Sequence, residues 1–95
     1  MSELTIFELK DCPYCVQERE IITELLQEHP EYERIEIKRI DESVYPDLAD
    51  QYDYYYVPSF YLGKKKLYEA SRSYSREEAK RRMNDVLCAV LNGTV

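Results

Sequence analysis

Ninety-five residues at 11.4 kDa make one small domain, residues 1–95, since independent domains under about 50 residues are rare. Thirteen basic against 19 acidic residues give a net charge of -6, which repels phosphate backbones and argues against nucleic acid as a partner. The apolar run after Met1-Ser2-Glu3 is too short for a signal peptide, and no stretch approaches the roughly 18–20 residues of a membrane helix, so a cytoplasmic chain with no membrane partner is expected. The charge is unevenly spread: residues 1–63 hold 5 basic and 15 acidic side chains, whereas residues 64–82 hold 8 and 3.

Leu4 to Leu9 is apolar at nearly every position and carries β-favouring Thr, Ile and Phe, the pattern of a central strand covered on both faces. Pro13 suits the first turn of a helix whose apolar stripe is Val16, Ile22, Leu25 and Leu26, and Pro30 ends it. Arg34 to Ile40 alternates through Ile35 and Ile37 as a second strand. Pro46 to Tyr52 forms a short helix. Ser59 to Leu62 and Lys65 to Glu69 then flank Gly63-Lys64, a Gly-first pair that fits a type II′ hairpin turn. Ser75-Arg76-Glu77-Glu78 has the form of a capping box, and Ala79, Met83, Val86, Leu87 and Val90 repeat at helical spacing up to Gly93. The order is βαβαββα. A βαβ crossover makes parallel strands and a hairpin adds antiparallel ones, so the sheet is mixed.

Cys12 and Cys15 open the first helix, three rises of about 1.5 Å apart along its axis and nearly on one face. That spacing lets a disulfide open and close with little backbone motion. Cys12 falls at the helix terminus, where unpaired amides and the positive end of the dipole favour the nucleophilic thiolate. Cys15, one turn inside, reads as the buried resolving thiol that attacks a mixed disulfide on Cys12. A zinc site would need a second pair of ligands, and the remaining candidates, Cys88 and His29, are isolated, so no metal is expected. His29 belongs to the last turn of its helix, near the exposed carbonyls. Cys88, beside Leu87, reads as a small core or semi-exposed thiol.

Cys12-Pro13-Tyr14-Cys15, following a strand and opening a helix, resembles the active-site tetrapeptide of dithiol glutaredoxins. Val57-Pro58 is similar to the cis-proline that thioredoxin-like families place opposite their cysteines. With the hairpin and the terminal helix, the resemblance spans nearly the whole chain. It implies an α/β, thioredoxin-like fold with a four-stranded mixed sheet flanked by helices. The implied activity is that of a thiol-disulfide oxidoreductase reducing protein or small-molecule disulfides. Cys12 and Cys15 would be its catalytic residues, and Lys10, Tyr14, Val57 and Pro58 its substrate contacts. No tightly bound cofactor is implied, and a monomer is expected.

Departures from the family bear on the reductant. Glu69-Ala70-Ser71-Arg72-Ser73 lacks the Gly-Gly pair and Asp that hold the γ-glutamyl end of glutathione. Tyr54-Tyr55-Tyr56 stands where residues gripping the glycyl carboxylate are usual. The glutathione motif is thus incomplete, and the reductant is either glutathione or a thioredoxin-reductase-type enzyme. Thioredoxin features are absent too, with Asp11 in place of Trp before the first Cys and Ile6 in place of a buried acid. Tyr52, Tyr54, Tyr55 and Tyr56 suit either a substrate platform or packing at the core edge. Lys64-Lys65-Lys66 fits a solubilising hairpin edge. Arg72, Arg76, Lys80, Arg81 and Arg82 fit a solvated face or a dock for an anionic group. The alternative to an enzyme is a redox-sensing or partner-binding module with little turnover.

Overall fold

In the computed structural model, which describes residues 3–95, strand β1 (Glu3–Glu8) lies inside a four-stranded sheet. Met1 and Ser2, with which the signal-peptide reading begins, lie outside the described residues. The other strands are β2 (Glu36–Asp41), β3 (Ser59–Leu62) and β4 (Lys65–Glu69), in the order β2-β1-β3-β4. The β1 and β2 strands are parallel, with Leu4 beside Ile37 and Ile6 beside Arg39, while β3 and β4 add antiparallel pairs. Helices α1 (Pro13–Glu28), α2 (Pro46–Ala49) and α3 (Arg76–Asn92) complete the βαβαββα order. The α/β class, the mixed sheet and the hairpin limits are as the sequence implies.

Strand alternation divides the interior in two. Leu4, Ile6 and Phe60 point towards α1 and α3, meeting Ile21, Ile22, Leu25, Met83, Leu87 and Val90 in the larger core. Phe7, Ile40 and Tyr61 point the other way and pack with Ala49, Leu48, Tyr52, Tyr54 and Val57. Gly63 makes the hairpin turn at φ +61°, and among the described residues no other residue type has positive φ, which is the II′ pattern. At the head of α3, Ser75 Oγ accepts the Glu78 N–H at 3.1 Å, and Gly93 closes the helix at φ +68°.

Several limits differ from the sequence reading. Val16 is 41% exposed; nine positions at about 100° each put it opposite Leu25, so the inward stripe runs through Cys15, Glu18, Ile22 and Leu25 instead. Pro30 does end α1, but it also opens a 3₁₀ turn, Pro30–Arg34, that turns Tyr32 inward to donate to Asn84 Oδ1 at 2.6 Å. The second strand therefore starts at Glu36, not Arg34. The α2 helix stops at Ala49, with Gln51 and Tyr52 continuing in i→i+3 hydrogen bonds rather than α-helical ones. Leu9 drops out of β1 because its N–H turns to Cys15 Sγ at 3.3 Å.

Candidate active site

The strand directions bring one set of loops together. Parallel β1 and β2 end at Glu8 and Asp41, antiparallel β3 begins beside Phe7, and β4 ends opposite Ser59. Residues 9–12, 42–45, 54–58 and 70–75 therefore gather at one end of the sheet, while Gln51 to Asp53 extend towards the hairpin, where Lys64 and Lys66 donate to the Gln51 and Asp53 carbonyls. Cys12 is the N-cap of α1, in extended conformation, with Pro13 following at the first helical position. Its thiol is half-buried, and its Sγ lies 4.0 Å from the Val57 carbonyl. The Val57–Pro58 peptide bond is cis, as the resemblance implies.

Cys15 is fully buried and unbridged. Burial pushes its thiol up to about 12, opposed by the Leu9 N–H and reinforced by the charge and hydrogen bonding of Cys12 and by the charge of Glu8. The two cysteines are thus unequal. One sulfur is reachable at a helix terminus, and the other is held inside as a thiol.

Behind the pair lies a charged cluster that the sequence reading did not single out. Glu18 is fully buried one turn beyond Cys15, and Arg39 donates to both its carboxylate oxygens at 2.7 and 2.9 Å. Glu8 accepts from Arg39 at 3.2 Å and from Arg19 at 2.9 Å, and Arg19 also donates to the Lys10 carbonyl at 2.7 Å. Burial raises the Glu18 carboxyl above its ordinary range in spite of the Arg39 hydrogen bonds and charge that oppose it; the bidentate bonds to the guanidinium are what compensate its burial. This network ties the turn before Cys12 to α1 and β2. Spacing places Glu18 on the Cys15 face of its helix and Arg39 in phase with Ile37, but only the packing of β2 beside α1 pairs the two.

The remaining expected contacts separate. Tyr14 and Pro58 line one crevice with Gln17, Ser71 and Tyr74, but it holds only about 10 Å³, room for a single water at most. Lys10 is exposed on the turn before Cys12. Tyr52 and Tyr54 pack against Phe7 at 4.6 and 5.2 Å between ring centroids, at the core edge, whereas Tyr55 and Tyr56 are 87% and 53% exposed. The Tyr55 and Tyr56 N–H groups both donate to the Glu69 carboxylate, at 2.7 and 2.8 Å. Glu69, a further residue the sequence did not single out, is kept low by Lys66 and these amides, although burial opposes it.

Most of the basic cluster is occupied internally. Arg76 and Lys80 pair with Glu24, Lys80 also with Glu28, and Arg81 and Arg82 with Glu78, leaving Arg72 exposed. Cys88 is exposed, and His29 is the C-cap of α1 and packs at a tilt against the Tyr32 ring at 4.9 Å. Among the described residues no helix is long and apolar enough to cross a membrane, and no three His, Cys, Asp or Glu side chains gather as metal ligands.

No family model matches the chain, and no curated protein matches it. Among solved structures, it is similar to a malarial protein, with a TM-score of 0.59 and 16% identity over 90% of this chain and 96% of that one. It is also similar to thioredoxin 1 from the thermophilic eubacterium Thermosipho africanus TCF52B, with a TM-score of 0.58 and 18% identity over 90% of this chain and 93% of that one. At such identities the likeness is one of fold.

Proposed function

We propose that this thioredoxin-like fold works as a cytoplasmic thiol-disulfide oxidoreductase of the glutaredoxin-like, dithiol kind. The carrying observation is the inequality of the cysteines, Cys12 half-buried at the helix terminus and Cys15 buried with its thiol pushed up to about 12. The Cys12 thiolate attacks one sulfur of a substrate disulfide, forming a mixed disulfide and releasing the other sulfur as a thiolate that takes up a proton. Cys15 then loses its proton and attacks Cys12 Sγ. The Cys12–Cys15 disulfide forms, the second substrate thiolate leaves and takes up a proton, and two electrons have passed to the substrate. Burial keeps Cys15 a thiol at rest, and the Cys12 charge adds to this; forming the mixed disulfide removes that charge and so eases loss of the Cys15 proton. The Val57 carbonyl and Pro58 border the place of attack, and Tyr14 flanks it.

A reductant must return two electrons. Glutathione carries a carboxylate at each end, and each charge-assisted contact is worth about 1.5–3 kcal/mol. The missing Gly-Gly pair and Asp after Glu69, and Tyr54-Tyr55-Tyr56 before Val57-Pro58, support weak use of glutathione, with a thioredoxin-reductase-type enzyme as donor. The partners are then disulfide substrates and that reductase, with Lys10 near enough to the turn to touch an anionic group. The test compares steady-state reduction of one protein disulfide by glutathione with glutathione reductase and by NADPH with thioredoxin reductase. Turnover with the second system and loss of about tenfold or more per missing glutathione contact is expected. Saturable turnover at low-millimolar glutathione, unchanged by Arg72→Ala, would return the chain to ordinary glutathione users. No turnover with either donor, together with partner binding that changes on oxidation, would favour the sensing module instead.

A further inference from the structure

The end of the sheet that carries Cys12 has a charge and shape that the proposed reaction does not use. Residues 41–58, between β2 and β3, hold five carboxylates, five tyrosines and no Lys or Arg. Among the described residues, six of the seven exposed large apolar side chains lie in this stretch or in the first turn of α1: Tyr14, Val16, Val44, Tyr45, Tyr55 and Tyr56. Exposed apolar groups gathered in one place mark a contact surface. The surface is also fixed in position, since Glu69 holds the Tyr55 and Tyr56 amides next to Val57.

Its chemistry suits a cation. A groove of about 450 Å³ beside α2 is walled by Tyr52, Tyr54 and Tyr55 and carries the Glu42 and Asp50 carboxylates. Ring faces and carboxylates together match a guanidinium or ammonium group, which can stack and accept charge-assisted bonds at once. The chain itself gives one instance, for the Lys64 ammonium lies 4.0 Å from the Tyr52 ring centroid and donates to the Gln51 carbonyl at 3.3 Å. Lys10, Arg72, Lys64 and Lys66 are the exposed cations around this stretch, the last two donating to the Gln51 and Asp53 carbonyls, and they are outnumbered by Asp11 and the five carboxylates of residues 41–58.

We infer that this acidic, tyrosine-rich rim selects disulfides flanked by Lys or Arg, so that the preferred substrate is a basic segment of a disulfide-bonded protein. The inference rests on the oxidoreductase reading and adds its substrate class. Field-driven selection acts on encounter, raising the association rate for cations and lowering it for anions such as glutathione. The two-electron exchange is unchanged: protein dithiol becomes the Cys12–Cys15 disulfide, and substrate disulfide becomes dithiol.

The experiment uses two peptides with one internal disulfide each, identical except for Arg or Glu flanks, and a small neutral disulfide as reference. Single-turnover rates are measured with the reduced full chain and with dithiothreitol, so that the ratio of Arg to Glu rates can be corrected for the intrinsic reactivity of the peptides. The corrected ratio is expected to be about tenfold or more at low ionic strength. It should collapse towards one as the Debye length shrinks from about 30 Å at 0.01 M salt to about 3 Å at 1 M. The combined variant Glu42→Gln, Asp50→Asn, which removes the groove carboxylates, should lose most of the preference at low salt. A corrected ratio near one in the unaltered chain, with the neutral disulfide still reduced, would overturn this inference alone. A ratio that survives both high salt and the combined variant would overturn it as well. Failure to reduce any of the three disulfides would overturn the oxidoreductase reading, and this inference with it.

Discussion

The two faces of one sheet are covered by unequal means. On one, α1 and α3 lie over the strands and meet around fully buried Leu4, Ile6, Leu25 and Leu87. On the other, one turn of helix and a few tyrosine rings shelter Phe7, with Tyr61 edge-on at 5.8 Å and Tyr52 and Tyr54 alongside. The difference separates two tasks. The thick face buries Cys15 and its charged backing, and the thin face presents exposed rings and carboxylates between β2 and β3. Stability should therefore be lost by changes on the first face, and substrate handling altered by changes on the second.

The largest expected effect tests the charged backing of the thick face. Glu18→Ala leaves the Arg39 guanidinium without its bidentate partner, and breaking such a buried pair costs about 3–5 kcal/mol. Urea unfolding measures it. A loss below about 1 kcal/mol, the level of an exposed pair, would show that the network is not part of the interior.

A paired comparison of single substitutions sets one face against the other. Leu25→Ala opens a cavity in the helix-covered core and should cost about 2–5 kcal/mol. Tyr55→Ala, at a side chain 87% exposed, should stay within about 0.5 kcal/mol of the unaltered chain yet slow reduction of a basic peptide disulfide. Equal stability losses from the two would erase the division.

A third expectation concerns pH. The buried Cys15 thiol is raised from its ordinary 9.0 to about 12, so between these values the unfolded chain has lost a proton that the folded chain keeps. Stability of the reduced protein then falls as pH rises through that window, by about 1.4 kcal/mol per pH unit for one proton. Cys15→Ser should lack this component, which appears as the difference between the two proteins in alkaline urea titrations. Parallel curves would mean that Cys15 titrates alike in both states.

Much of this architecture was legible because local signals agreed with one another. Gly63 marked the hairpin turn, Ser75 and Gly93 bounded α3, and the apolar run from Leu4 marked a strand covered on both sides. Cys12 and Pro13 placed the redox pair at a helix start for the same reason. Other features depended on tertiary pairing. Glu18 reads as an exposed charge until β2 brings Arg39 opposite it, and Glu69 reads as a strand residue until the Tyr55 and Tyr56 amides fold back on it. Leu9 left its strand for a sulfur six residues ahead, a choice that strand propensity does not encode.

The division of labour between Cys12 and Cys15 is tested most directly by trapping. Each Cys→Ser variant is incubated with a disulfide-bonded substrate, and the adducts are mapped by mass spectrometry. Cys15→Ser is expected to accumulate a mixed disulfide through Cys12, because no resolving thiol remains, while Cys12→Ser captures nothing and reduces nothing. Capture through Cys15 in the Cys12→Ser variant, with none through Cys12 in the other, would contradict the assignment and reverse the roles of the two sulfurs.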